Sequence, residues 1–317
     1  MRRLARFLFR PQNLLGLALV SLFVALAALA PSIVPWTDTI SAPPNFRRIG
    51  RYNDMRPHPP STEAPLGTLS GQYDVFYTIV WGSRTALRFG LLVTALTTVV
   101  GLVVGAATGY AGGRIQQLAI VVIDAFLAFP AIAGLWVVRY SLFPVDITGA
   151  PIGMHPVLAA LGLDPLMIAF ILFSWMPYAR IANASALRLR TIDYVQAARS
   201  MGASDWRVVF RHVIPNLIAP IVVLSAKDVG GTVMLGAAFS FIGVATDLPW
   251  GTLLALGRDW IIGPGGNLIT YWWVYAPATL ALLLFGAGWN LLGDGLNDLI
   301  AGRQAAGGAA PLAHPAR

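Results

Sequence analysis

Two adjacent ionisable residues, Lys227 and Asp228, stand in the middle of an otherwise uncharged run from 214 to 244. At bilayer depth such groups are costly, and they mark passages for polar solutes or ions unless a neighbouring helix pairs them. Adjacent helix residues point about 100° apart, so the two must face different neighbours. Both are expected to line a translocation path. Asp124 is a single acid in another apolar run and is expected to be structural, near the cytoplasmic side. Other reactive groups are sparse. The chain has no cysteine, and His58, His155, His212 and His314 are scattered without an i,i+4 pair. No metal site is expected from that set. No Ser/His/Asp arrangement falls on an aqueous face, and no G-x-x-x-x-G-K-[ST] phosphate loop is present. The only lysine, Lys227, lies in an apolar run, so the chain is expected to be non-catalytic, with no cofactor of its own.

The elements that position these groups are membrane helices. The 317 residues are 56% hydrophobic and only 11% charged, against roughly 25% charged in soluble domains. Mean hydropathy is +0.67. The net charge of +8 comes mostly from arginine dispersed among apolar runs, which fits lipid headgroups better than nucleic acid. Runs long enough to span occur at 14–30, 89–110, 118–138, 166–179, 214–244 and 268–292. The expected fold is therefore all-α and polytopic, with about six transmembrane helices. The 166–179 run is short and is expected to borrow from 157–163 or to tilt. The first run has a basic start and ALA before Pro31, as a secretory leader would. Its length and the proline after the would-be cleavage point predict a retained span. With both termini in the cytoplasm, thirteen arginines fall inside and eight outside.

The expected order is a cytoplasmic N-terminus at 1–13, a first transmembrane helix at 14–31 and an extracytoplasmic loop at 32–80. A core of five helices follows at 81–300, then a disordered, low-complexity tail at 301–317. The 32–72 segment, rich in proline and polar groups, is expected to form an ordered loop or small cap. The prolines at 144, 151, 156 and 165 break helix in 140–165. Gly101, Gly105 and Gly109 make one small face, expected as a packing seam. Thr270 to Tyr275 reads as an aromatic interface belt.

One stretch fits neither span nor disordered loop: YVQAARSMGASDWRVVFRHVIPN, 194–216. Ala197, Ala198, Met201 and Gly202 fall at three- and four-residue spacing, giving a small helical face. Gly202 is expected to end that helix. Asp205 then opens a second one after Ser204 as cap, and Pro215 is expected to stop it. The result is a helix–turn–helix at the membrane surface, edged by Arg199, Arg207 and Arg211.

This stretch resembles the EAA loop of ABC importer permeases, with Gln196-Ala197-Ala198, Gly202 and Ile214-Pro215 at matching positions. Gln196 stands where that pattern has Glu, so it keeps a hydrogen-bonding tip without the charge. GTLSGQYDVFYTIVWGSRTAL, GYAGGRIQQLAIVVIDAFLAFP, SWMPYAR, SFIGVATDLPWGTLLALGRDW and NLLGDGLNDL are similar to segments of the C-type permeases of dipeptide, oligopeptide and nickel importers. The resemblance covers about 66–303 and implies a type I ABC importer permease fold in the inner membrane, with a coupling loop at 183–215. It implies docking on ATPase subunits through Gln196, Ala197, Ala198 and Gly202, with Arg199 and Asp205 at the rim. ATP and Mg would be bound by two partner ATPases. A second homologous permease and an extracytoplasmic binding protein complete the expected complex. The contrasting reading is an ion-coupled secondary carrier that uses Lys227, Asp228 and Asp124 as a relay.

Overall fold

The computed structural model describes residues 10–37, 42, 43, 45–51, 53–144, 156–243 and 248–307. His155, His314, the middle of the 140–165 loop and the last ten residues lie outside that set. The described helices are α1 (Pro11–Ile33), α2 (Val75–Ala111), α3 (Gly113–Ala128), α4 (Ala131–Leu142), α5 (Pro156–Ala160), α6 (Pro165–Phe173), α7 (Met176–Leu189), α8 (Asp193–Ser200), α9 (Asp205–Val208), α10 (Ile214–Phe241), α11 (Pro249–Ile262) and α12 (Trp272–Gly307). Among the described residues, five helical stretches are long and apolar enough to cross a membrane, and a bent pair makes up to six.

The expected third span is the bent pair. Its run is broken at Phe129–Pro130, and the axes of α3 and α4 diverge by 96°. Pro130 has no N–H to continue the ladder, and it pushes Phe129 into an extended conformation (φ −79°, ψ 137°). The fourth span gains its length from the other side than expected. α6 runs on through a break at Ser174–Trp175 into α7, while 156–160 forms a separate short helix. The second span begins at Val75, well before 89, because Asp74 caps it. The Asp74 carboxylate accepts from the backbone N–H of Phe76 and Tyr77 at 2.9 and 3.2 Å. The last helix continues past Ile300 to Gly307, into the segment expected as tail.

Lipid removes the hydrophobic drive between helices, so close packing must hold the spans together. The glycine face of α2 does this within the chain. A Cβ at Gly101, Gly105 or Gly109 would stand 2.5, 2.3 and 2.3 Å from the backbone oxygens of Trp175, Ala179 and Asn183. α2 and α7 therefore meet backbone to backbone. Elsewhere aromatic rings interlock. Phe23 of α1, Trp250 of α11 and Phe285 of α12 form a triad with centroids 5.2–5.8 Å apart. The Trp250 indole donates to the Ile79 carbonyl of α2 at 3.2 Å.

The segment before α2 is an ordered cap. The backbones of Arg48 and Thr68 bridge to those of Tyr73 and Asp74. Phe46, Leu69 and Val75 are buried against Trp273 and Val274 at the start of α12. Asp74, fully buried, also forms an ion pair with Arg47.

Candidate functional site

The 194–216 stretch folds as a hairpin at the end of the molecule opposite the cap. α8 ends in a Schellman motif. The Ala203 N–H donates to the Ala198 carbonyl at 3.1 Å and the Gly202 N–H to that of Arg199 at 2.9 Å. Gly202 takes φ +84°, which a side chain would strain. Ser204 then caps α9, its hydroxyl accepting from the Arg207 N–H at 3.4 Å.

Pro215 does not stop the second helix of the hairpin. Helix runs without a gap from Asp205 to Phe241. Val209–Val213 widens into a π turn, in which the Ile214 N–H reaches the Val209 carbonyl five residues back. That change of register absorbs the missing N–H of Pro215. The Asn216 amide donates to the His212 carbonyl at 2.6 Å and covers that acceptor beside the change of register.

The hairpin has two faces. Val195, Ala198, Val208, Val209 and Val213 are buried against Ala106 and Tyr110 of α2 and Ala182 and Ala186 of α7. Ala198 thus turns inward, whereas Ala197, Gln196 and Gly202 are exposed. The outward face carries Met201 at 82% exposure and Trp206 at 66%, with the Trp206 ring centre 4.2 Å from that of Phe210 and the two planes tilted by 45°. Large apolar groups displayed together in this way mark a contact surface. A polar cleft of about 330 Å³ beside them is lined by Met201, Gly202, Ala203, Arg207 and Arg211. Two ties fix the hairpin to the body. The Tyr110 hydroxyl donates to Asp205 at 3.0 Å, and the Arg199 guanidinium stands 5.9 Å from the Tyr110 ring centre. Gln196 donates to the Thr191 carbonyl at 3.0 Å, bracing the turn into α8.

The ionisable groups of the spans have three separate sets of partners. Lys227 forms an ion pair with Asp294 of α12, Nζ to Oδ1 2.5 Å. Asp228 accepts from the Tyr178 hydroxyl of α7 at 2.7 Å, and close by Ser225 meets Thr98 of α2 at 2.9 Å. Asp124 of α3 pairs with Arg180 of α7 at 3.4 Å. Lys227 and Asp228 thus face different helices, as their adjacency requires, and Asp124 shares no partner with them. Asp294 lies outside the apolar run expected for the last span, which ends at 292, so the sequence does not single it out. The run of polar residues after 289, in NLLGDGLND, was the available signal. Among the described residues no group of three or more His, Cys, Asp or Glu could hold a metal.

On the cap, the His58 ring nitrogen lies 2.8 Å from Asp54. That hydrogen bond, helped by the Arg56 N–H, holds the Asp54 carboxyl below the ordinary carboxylate range. Beside it an open cleft of about 390 Å³ is lined by Ile49, His58, Pro60, Glu63, Thr68 and Gln72.

An all-α bundle of membrane-spanning length, with a surface hairpin at one end and an ordered cap at the other, defines a multi-pass membrane protein. Comparison with known proteins makes this specific. Residues 76–305 match the family described as "Binding-protein-dependent transport system inner membrane component", and the chain belongs to that family. It is 33% identical over 301 residues to a protein of Brucella suis named as a peptide transport system permease, covering 93% of this chain and 90% of that one. It is 29% identical to the glutathione transport system permease protein of Pectobacterium atrosepticum, covering 89% and 83%. With the dipeptide transport system permease protein of Alkalihalophilus pseudofirmus it shares 27%, over 90% and 84%. The chain is therefore an ABC importer permease of the dipeptide/oligopeptide class, embedded in the membrane by several spans.

Proposed function

We propose that this permease carries peptides and forms their passage together with a second, homologous permease. Two ATPase subunits, which hold the ATP and Mg, dock on the 194–216 hairpin. An extracytoplasmic binding protein delivers the peptide to the cap and to the 140–165 loop. Both chain termini lie in the cytoplasm, on the hairpin side. The chain itself catalyses no reaction. Gln196, Ala197 and Gly202 form the small-residue part of the docking face, and Arg199 and Asp205 hold its rim. Ala198 contributes from beneath, by letting α8 lie close on α2 and α7. Lys227 lines the passage, and Asp228 steadies the next face of α10 through Tyr178.

The observation that carries this reading is the two-faced hairpin. Its inner face is buried against two spans, while its outer face displays Met201, Trp206 and Phe210. The test is co-purification. Met201→Glu with Trp206→Glu is expected to lower ATPase retention at least tenfold, roughly 1.4 kcal/mol of lost affinity, while the membrane subunits stay assembled. Undiminished ATPase retention would remove the hairpin from the coupling path.

A further inference from the structure

We infer that the Lys227–Asp294 ion pair is a peptide-terminus site in the passage, with Lys227 taking the substrate's carboxylate and Asp294 its ammonium group. This rests on the peptide-permease reading above. Lys227 lies about 20 Å from the outer end of α10, and Asp294 about 9 Å from the inner end of the span Trp272–Ile300, at 1.5 Å per residue, so the pair sits within the spans, toward the hairpin side. Yet the two side chains are 36% and 51% exposed. Charges there do not face acyl chains at acceptable cost, so this surface must face water or protein.

The surrounding residues favour water. The exposed positions of α12 are apolar from Trp272 to Ala287 and polar nearer the hairpin, at Asn290, Asp294, Asn297 and Asp298, of which Asp298 pairs with Arg10. Asn290, Asp294 and Asn297 stand at i, i+4 and i+7 and form one polar stripe. Gly293 makes the pairing possible. A Cβ there would lie 2.4 Å from Lys227 Cγ, so its absence lets the lysine stem rest on α12 and bring the ammonium to Asp294. One turn along α10, a Cβ at Gly231 would meet nothing within 4 Å beyond its own helix backbone, so that position is open. A half-exposed pair is weakly held. A zwitterionic peptide entering between the two groups replaces each partner with one of like charge, so neither group is left unpaired.

The experiment uses the assembled transporter in proteoliposomes, with its binding protein, ATP and radiolabelled dialanine or trialanine. Because this chain has no cysteine, Lys227→Cys and Asp294→Cys each introduce its only thiol. Both are expected to react with a membrane-impermeant methanethiosulfonate, and transported peptide is expected to slow that reaction several-fold. The double variant Lys227→Met/Asp294→Asn removes both charges of the pair, so neither is left without its partner. It is expected to lower peptide uptake at least tenfold while the loaded binding protein still stimulates ATP hydrolysis. A purely structural pair predicts wild-type uptake by that variant and no thiol labelling. That result overturns the inference and leaves the peptide reading standing. A wild-type complex that hydrolyses ATP but imports neither peptide overturns both.

Discussion

Gly105→Ala tests the seam from which the hairpin hangs. The added Cβ would stand 2.3 Å from the Ala179 carbonyl oxygen and 2.7 Å from the Ala182 Cβ. Non-bonded carbon–oxygen contacts sit near ~3.3 Å, so α2 and α7 must part by about 1 Å. The nearest atom is backbone, so no side-chain rotation relieves the clash. Overpacking of this kind costs about 1–3 kcal/mol. In a unit of this size that corresponds to a fall of roughly 3–10 °C in Tm, read from thermal unfolding of the assembled complex. Gly231→Ala is the stability control, since nothing beyond its own helix backbone lies within 4 Å of its added Cβ. It is expected to be neutral or to stabilise by about 0.4–1 kcal/mol. Gly109→Ala added to Gly105→Ala should cost less than the two separately, because the first opens the seam for the second. A Gly105→Ala complex that melts within about 1 °C of wild type would refute backbone contact between α2 and α7, since even the lowest packing cost exceeds that shift.

Tyr110→Phe removes the hydroxyl that donates to Asp205. The loss is about 1 kcal/mol, so amide exchange over 205–213 should quicken roughly five-fold while exchange in α12 is unchanged. Asp74→Asn keeps a capping oxygen for α2 but discharges the partner of Arg47, which is itself partly exposed. The cost is about 1–3 kcal/mol after allowance for solvent, read as faster proteolysis within 45–72. Acid should loosen the same cap. The Asp54 carboxyl is held below its ordinary range by His58, so its contribution is present above the unfolded pKa and is lost as pH falls through the lowered folded value. Proteolysis near 54–58 should therefore be steady from neutral pH down to the ordinary carboxylate value and rise as pH falls from there through the lowered one. His58→Ala should remove that low-pH step.

The parts of the fold that were legible in the sequence are those fixed by local chemistry. Uninterrupted apolar runs announced the spans, the four-residue glycine spacing announced the α2–α7 seam, and Gly202 followed by Ser204 announced the turn of the hairpin. The sequence was misleading where one signal outweighed another. Apolar continuity over 118–138 masked the break that Pro130 imposes, although a pre-proline residue disfavours helix. At Pro215 the error ran the other way. A proline predicts a stop, but a widened turn accommodates it and keeps α10 continuous with α9. Ala197 and Ala198 could not be separated by type, because only the packing of Val195, Val208 and Val213 decides which of the two alanines points inward. Asp294 was hidden because span-finding ends a helix where polar residues begin, whereas a helix that borders water at bilayer depth carries polar residues inside the span.

Under the proposed function, these contacts divide the molecule into a stiff part and a yielding part. The hairpin cannot slide on α2 and α7, because valines and alanines are buried across that joint and the Gly105–Ala179 approach leaves no slack. Nor can α10 lag behind the hairpin, since helix connects them without a loop. A push on Trp206 is therefore delivered along α10 to Lys227, about 32 Å further on at 1.5 Å per residue. There the neighbour is α12, and the contact differs in kind. A Cβ at Gly230 would stand 2.9 Å from Gly286 Cα, against 2.3 Å at the Gly105–Ala179 approach, the atoms nearest a Cβ at Gly286 or Gly293 belong to the flexible side chains of Met234 and Lys227, and the polar link beside them is a half-exposed pair worth about 0–1 kcal/mol. Movement that the α2–α7 seam resists can be taken up between α10 and α12. That places the yielding joint at the ion pair proposed to hold the substrate's termini, so one displacement would both open the pair and free its cargo.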